Sequence, residues 1–211
     1  MLVLAVSGYL LFRGGTALVG GVTHLGDGST PPFEFDLVRT LPISVTAGAS
    51  DTRSESATKA AEQVVPVMEQ LYSEAFLNPS DWKHNSYDSV WSLFDETAAG
   101  QARIDVDVLT AGTTAGDTYD TVTPDSGRLT IKVLLDKKNR AATLVAIVTF
   151  TADAKGKDGT TTLVQSSGQY FLRETDDGWI VYSYKVVRDD QVLSATPTPA
   201  GSGSPTGATS Q

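Results

Sequence analysis

The chain has 211 residues, 40% of them hydrophobic and 8% aromatic, enough for one domain of ordinary size with appendages and too apolar for wholesale disorder. A formal net charge of −9 and a pI of about 4.6 leave no basic footprint for nucleic acid. No cysteine is present, which excludes disulfides, thiolate nucleophiles, cysteine-rich metal sites and a lipid-modified cysteine anchor, and leaves the compartment open.

The first twelve residues, Met1 to Phe12, form a largely apolar run that Arg13 breaks, and a weaker segment follows to Val22. A spanning helix needs roughly 20 apolar residues, and a secretory signal carries Lys or Arg before its apolar stretch. Three readings stay open: the end of a membrane helix that begins upstream, a short span with Arg13 snorkelling at one side, or an amphipathic or core helix. The first is the working expectation, with residues 1–22 as an anchor remnant. Residues 23–50, rich in Gly, Pro, Ser and Thr, then read as a tether to the domain. Within that tether Phe33, Phe35 and Leu37 alternate with Glu34 and Asp36, so a short extended piece can pair with a sheet edge.

The domain itself is expected over 51–192. Thr52-Arg-Ser-Glu55 has capping-box spacing, and Ala57, Ala60, Ala61, Val64, Met68, Leu71, Tyr72 and Phe76 recur at helical spacing up to Asn78-Pro79. Pro66 inside this helix predicts a kink or a two-part helix. A second helix is expected over Ser86 to Phe94, capped by Ser86 or Asp88, stopping near Gly100 or continuing weakly through Ala102 and Ile104. Ile104, Val106 and Val108 alternate with Asp105 and Asp107 in strand-like fashion, and Thr113 to Thr123 reads as polar loop. Strands then follow at Arg128 to Leu135, Ala142 to Ala152, Leu163 to Leu172 and Trp179 to Arg188, joined by Lys137-Lys-Asn-Arg140, Lys155-Gly-Lys-Asp-Gly159 and Asp176-Asp-Gly178. Gly168 in mid-strand predicts a bulge. The last strand alternates Ile180, Tyr182, Tyr184 and Val186 against Trp179, Val181, Ser183 and Lys185. The tail, 193–211, holds only small and polar residues beyond Leu193 and reads as disordered. Helices followed by a meander of long strands indicate an α+β fold, with helices packed on a strongly curved antiparallel sheet.

The long first helix, Asp81-Trp82 after it, Ser89-Val-Trp-Ser-Leu-Phe94, and above all Gly168-Gln-Tyr-Phe-Leu-Arg-Glu-Thr-Asp-Asp-Gly-Trp-Ile-Val-Tyr-Ser-Tyr184 carry a resemblance. In these residues, over roughly Thr52 to Asp190, the chain resembles the NTF2-like, cone-shaped superfamily. Because the domain follows an apolar segment, it resembles in particular the Mce-associated membrane proteins and the VirB8-like conjugation-channel scaffolds. The resemblance implies a cone that can enclose a cavity and an outer sheet surface that pairs with another copy or a partner.

Reactive groups are scarce. The two histidines, His24 and His84, lie in the tether and in a polar bend, far apart and without clustered partners for a triad or a metal. Asp88, Asp95, Asp105 and Asp107 are the acids to weigh for a cavity acid or base, and each has a simpler role as helix-start or solvated residue. Gly14-Gly15 and Gly20-Gly21 lack the context of a phosphate loop, and no cofactor motif is present. The best binding hypothesis is aromatic: Trp91, Phe94, Tyr170, Tyr182 and Tyr184 at a pocket mouth, against the simpler reading that they fill the core. The mixed face of Gln165, Ser167, Gln169, Ser183 and Lys185 is the first choice for an interface.

The expected function is therefore a non-catalytic, membrane-tethered extracytoplasmic domain, an accessory or scaffold in an envelope assembly. Its partners are envelope proteins, or other copies through the sheet face, with the membrane held by the N-terminal segment. The alternatives are a small apolar-ligand carrier, which needs an enclosed pocket, and a cone-fold isomerase or dehydratase, which needs a buried carboxylate.

Overall fold

Among the described residues, one strand precedes all the helices and four follow them. The structure, a computed structural model, describes residues 33–44 and 51–195, all within one structural unit. The apolar start expected at 1–22 and the tail beyond 195 lie outside the described residues. Strand β1 (Asp36–Ser44) is followed by helix α1 (Asp51–Tyr72), a π-helical turn (Ser73–Leu77), and five short helices. These are α2 (Pro79–His84), α3 (Asp88–Trp91), α4 (Glu96–Ile104), α5 (Val106–Leu109) and α6 (Ala115–Thr118). The long strands β2 (Tyr119–Leu135), β3 (Ala141–Gly156), β4 (Thr160–Thr175) and β5 (Gly178–Ala195) complete one sheet of order β1-β2-β3-β4-β5. Among the described residues no helix is long and apolar enough to cross a membrane.

The sheet is mixed and open, where an all-antiparallel one was expected: β1 runs parallel to β2, and every other neighbour pair is antiparallel. The folded unit therefore takes in part of the stretch read as a tether. Phe35 is buried and donates its backbone N–H to Glu69 Oε1 on α1 at 3.1 Å, while Phe33 meets Phe35 and Phe150 edge-on at 4.8 and 5.4 Å. Gly127 makes room for this aromatic arm; a Cβ there would lie 2.4 Å from the Phe33 ring.

The core is the layer between α1 and the inner sheet face. Ala57, Ala60, Ala61, Val64, Met68, Leu71 and Tyr72 recur along α1 and are all buried. They meet the alternate residues Leu129, Ile131 and Val133 of β2, Leu144, Ala146, Val148 and Phe150 of β3, and Val164, Tyr170 and Leu172 of β4. The helix does not divide at Pro66, which sits exposed within α1; its hydrogen-bonding pattern changes at Ser73, where a π turn places Ala75 and Phe76 in the core.

Four further expectations are corrected. Residues 104–108 are not strand: they are the end of α4 and the start of α5, which meet at the turn residue Asp105, and Asp95 starts α4 by accepting the Ala98 N–H. The second helix stops at Trp91, since the next residues leave it to join the sheet: Leu93 and Asp95 exchange backbone hydrogen bonds with Val181, and neither Ser86 nor Asp88 caps α3 by its side chain. Strand β2 begins nine residues before Arg128, at Tyr119, so Tyr119 to Thr123 is strand rather than loop. Gly168 is no bulge. The ladder is continuous across it, and its missing side chain lets β5 approach, for a Cβ would sit 2.3 Å from Lys185 O. The irregularity falls three residues on, between Phe171 and Leu172, with Tyr182 as the extra residue of β5.

Candidate functional site

The five aromatics singled out in the sequence do not share one surface. Tyr170 projects from β4 into the fully buried core, where its hydroxyl donates to Tyr72 Oη at 3.3 Å, and the Tyr72 hydroxyl and Ser166 Oγ lie 3.1 Å apart. Phe76, Phe150 and Phe35 pack around Tyr72 with ring centres 5.1–5.5 Å away. Burial pushes both tyrosine hydroxyls up from their ordinary range, Tyr170 further than Tyr72. These hydroxyls are neutral at any physiological pH and satisfy one another. They bind the core together and have no room beside them for a substrate.

Trp91 and Phe94 pack on each other at 6.3 Å, and Phe94 meets Tyr184 edge-on at 5.8 Å. The bulge at Tyr182 breaks the expected alternation. Val181 and Tyr184 share the inner face, opposite Leu172 and Tyr170, while Tyr182 meets Phe171 on the outer face at 6.4 Å. Tyr184 donates to Asp105 Oδ2 at 2.7 Å, and burial together with that carboxylate raises its hydroxyl above the ordinary range. Gln101, and after it Tyr184, hold Asp105 below the usual carboxylate range. Asp95, expected as a solvated helix-face residue, caps α4 and pairs with Arg173 at 3.0 Å.

Two depressions flank the helical layer, and neither contains any of the five aromatics. One, of about 440 Å³, opens between α5, the Ala111–Thr114 turn and the strands β2 and β5. Arg188 forms its floor, bridging to Asp190 through both carboxylate oxygens (2.9 and 2.6 Å) and to the main-chain carbonyls of Asp107 (3.0 Å) and Thr110 (2.6 Å). Tyr87 donates to Gly112 O at 2.9 Å behind it, and Tyr119 lies along one side with its hydroxyl raised by burial. The guanidinium is engaged by the protein's own oxygens. The site is a staple joining β5 to the loop after α5, and the polar groups of the depression are already paired.

The other lies astride Trp179, whose Nε1 donates to Gln63 Oε1 at 3.1 Å. On one side Lys59, Lys138, Asn139 and Arg140 line about 320 Å³; on the other Val67, Leu93, Gly178 and Ile180 line about 440 Å³. Arg188 and the Gln63–Trp179 bridge were not legible beforehand. Arg188 was hidden because the face of every residue after Tyr182 depends on the bulge, and Gln63 because a polar residue on an exposed helix face has no marked partner in the sequence. Among the described residues the buried polar side chains that are not aromatic are Thr110 and Ser166; no acid and no histidine is buried, and no group of three metal-ligating side chains converges.

No family model and no curated protein matches the chain. Among solved structures, a candidate aromatic ring hydroxylase from Novosphingobium aromaticivorans aligns over 69% of this chain and 96% of its own, with 13% sequence identity and a TM-score of 0.37. A superposition that loose assigns no activity and no residue role to this chain.

Proposed function

We propose that this chain is a non-catalytic binding domain of the NTF2-like, cone-shaped kind, membrane-tethered and extracytoplasmic like the Mce-associated and VirB8-like proteins, and an accessory or scaffold in an envelope assembly. The observation that carries this reading is the state of the interior. The space between α1 and the sheet is filled by Tyr72, Phe76, Phe150 and Tyr170; the two tyrosine hydroxyls bond to each other, and that of Tyr72 to Ser166. A carrier needs an enclosed apolar cavity of a few hundred Å³, and an isomerase or dehydratase needs a desolvated acid facing such a space. What the fold leaves available is its outside: two open depressions and a broad sheet face.

Membrane fractionation of the full-length protein, followed by protease added from outside intact cells, tests the tether. The domain should sediment with membranes and be cut by external protease; recovery in the soluble cytosolic fraction overturns the reading.

A further inference from the structure

Three adjoining rows of the outer sheet face carry a charge opposite to that of the molecule, while the rows beyond them toward the other end of the strands hold Asp153 and Asp189. The register lays out its rows across the strands: Leu41, Lys132, Val145, Phe171 and Ser183 form one, Arg39, Thr130, Ile147, Gln169 and Lys185 the next, and Arg128, Thr149, Ser167 and Val187 a third. Arg39, Arg128, Lys132 and Lys185 have no ion-pair partner among the described residues, and no acid stands in these rows except Asp36 beside Arg128 at the edge. The chain as a whole has net charge −9, so the cations of this face are offset by a still more acidic remainder.

The same rows are apolar between the cations. Val145, Ile147 and Phe171 are half-buried, Ile43 and Leu134 lie just beyond at 46% and 37% exposure, and Val187 is 62% exposed. Where the β1–β2 ladder slips between Leu37 and Arg39, Val38 stands aside and leaves a depression of about 160 Å³. Ile147 and Val148 line it together with Thr130, Thr149 and the stem of Arg128. It has the size of one apolar side chain, with a cation at its rim. Interfaces concentrate their affinity in anchors of this kind, surrounded by charges that choose the partner.

We propose that this face docks an acidic protein surface, one that presents an apolar side chain to the Val38–Ile147 depression and carboxylates to Arg39, Arg128, Lys132 and Lys185. Two copies of this chain do not meet here sheet to sheet, because a two-fold contact sets this cationic patch against itself, and like charges brought together at an interface disfavour association. The inference deepens the scaffold reading and rests on it by naming the chemistry of the partner. Its test is separable, since fractionation reports on the tether and a solution mixture reports on the face.

The probe is the chain itself with the face reversed, Arg39→Glu/Arg128→Glu/Lys132→Glu/Lys185→Glu, which keeps the apolar pattern and supplies the carboxylates. Circular dichroism melts verify that it folds, and the milder Arg128→Glu/Lys185→Glu variant, at two exposed positions, stands in if it does not. Analytical ultracentrifugation of full-length protein should show the wild-type chain alone as a monomer and its mixture with the reversed chain as a one-to-one complex. The complex should weaken at least about tenfold as added salt shortens the Debye length from about 30 to about 8 Å, and Lys59→Glu on α1 should leave it unchanged. Two results overturn the proposal: no complex in the mixture, or a wild-type dimer that the reversal abolishes.

Discussion

Residues decide here through polar atoms in apolar surroundings. Tyr72 is the hinge of a hydroxyl cluster in the described core: it receives a hydrogen bond from Tyr170 and shares another with Ser166. Tyr72→Phe keeps the ring and leaves two buried hydroxyls short of a partner. A buried group so stranded costs about 1–3 kcal/mol, and the urea midpoint should fall accordingly with the m-value unchanged. Glu69 gives a case with the opposite sign. Burial raises its carboxyl above the ordinary range despite the Phe35 N–H it accepts, so the folded state holds that proton more tightly than the unfolded chain. Its stabilising share is full at acidic pH, below the unfolded value, and is lost as pH rises through the raised one. Glu69→Gln still offers an oxygen to Phe35 and carries no charge. Melting curves should therefore place the variant above the wild type at neutral pH, with the gap closing as pH falls through the carboxylate range.

Elements were legible where burial and local spacing agreed. Strands β3 and β4 contain the predicted stretches Ala142 to Ala152 and Leu163 to Leu172, whose middles bury alternate residues, and α1 shows its apolar stripe from Ala57 to Tyr72, about four turns. Residues 104–108 misled because an alternation of three apolar residues fits a strand and a helix edge equally, and the cap that settles it, Asp95, lies nine residues upstream of Ile104. The Tyr182 bulge was invisible for another reason. An extra residue in one strand is defined by its partner, and no local signal marks it. The five aromatics do not form one mouth, because that insertion turns Tyr182 to the outer face and Tyr170 is sealed in the core against Tyr72. Gly168 reads in sequence as a bulge, whereas its role is close approach between strands. Gly168→Ala forces the added methyl into Lys185 O and the Val186 backbone, which cannot swing away as a side chain can. Overpacking of this kind costs about 1–3 kcal/mol, and thermal denaturation should register it, whereas Gly100→Ala, with open space around it, should be neutral or stabilising.

Across the whole molecule, charge is unevenly distributed. A chain of net charge −9 repels its own copies at neutral pH, and that repulsion fades as the carboxylates take up protons toward the pI of about 4.6. Light scattering on titration from pH 7 downward should stay flat at first and rise sharply near the pI, and the rise should reverse on return to neutral pH if the fold survives the excursion. Neither this nor the interface chemistry could be taken from composition, since composition counts the cations without showing that four of them share one face. That juxtaposition exists only once five strands are in register.

Strand β1 has a further consequence, in time rather than in space. It is the first described segment to leave the ribosome, yet its partner β2 lies on the far side of the entire helical layer. Closing so long a loop must wait until the intervening chain has been made and compacted. The nascent protein therefore carries Phe33, Phe35 and the strand after them unsheltered until β2 has been made, and the earliest described strand is among the last to be stitched in.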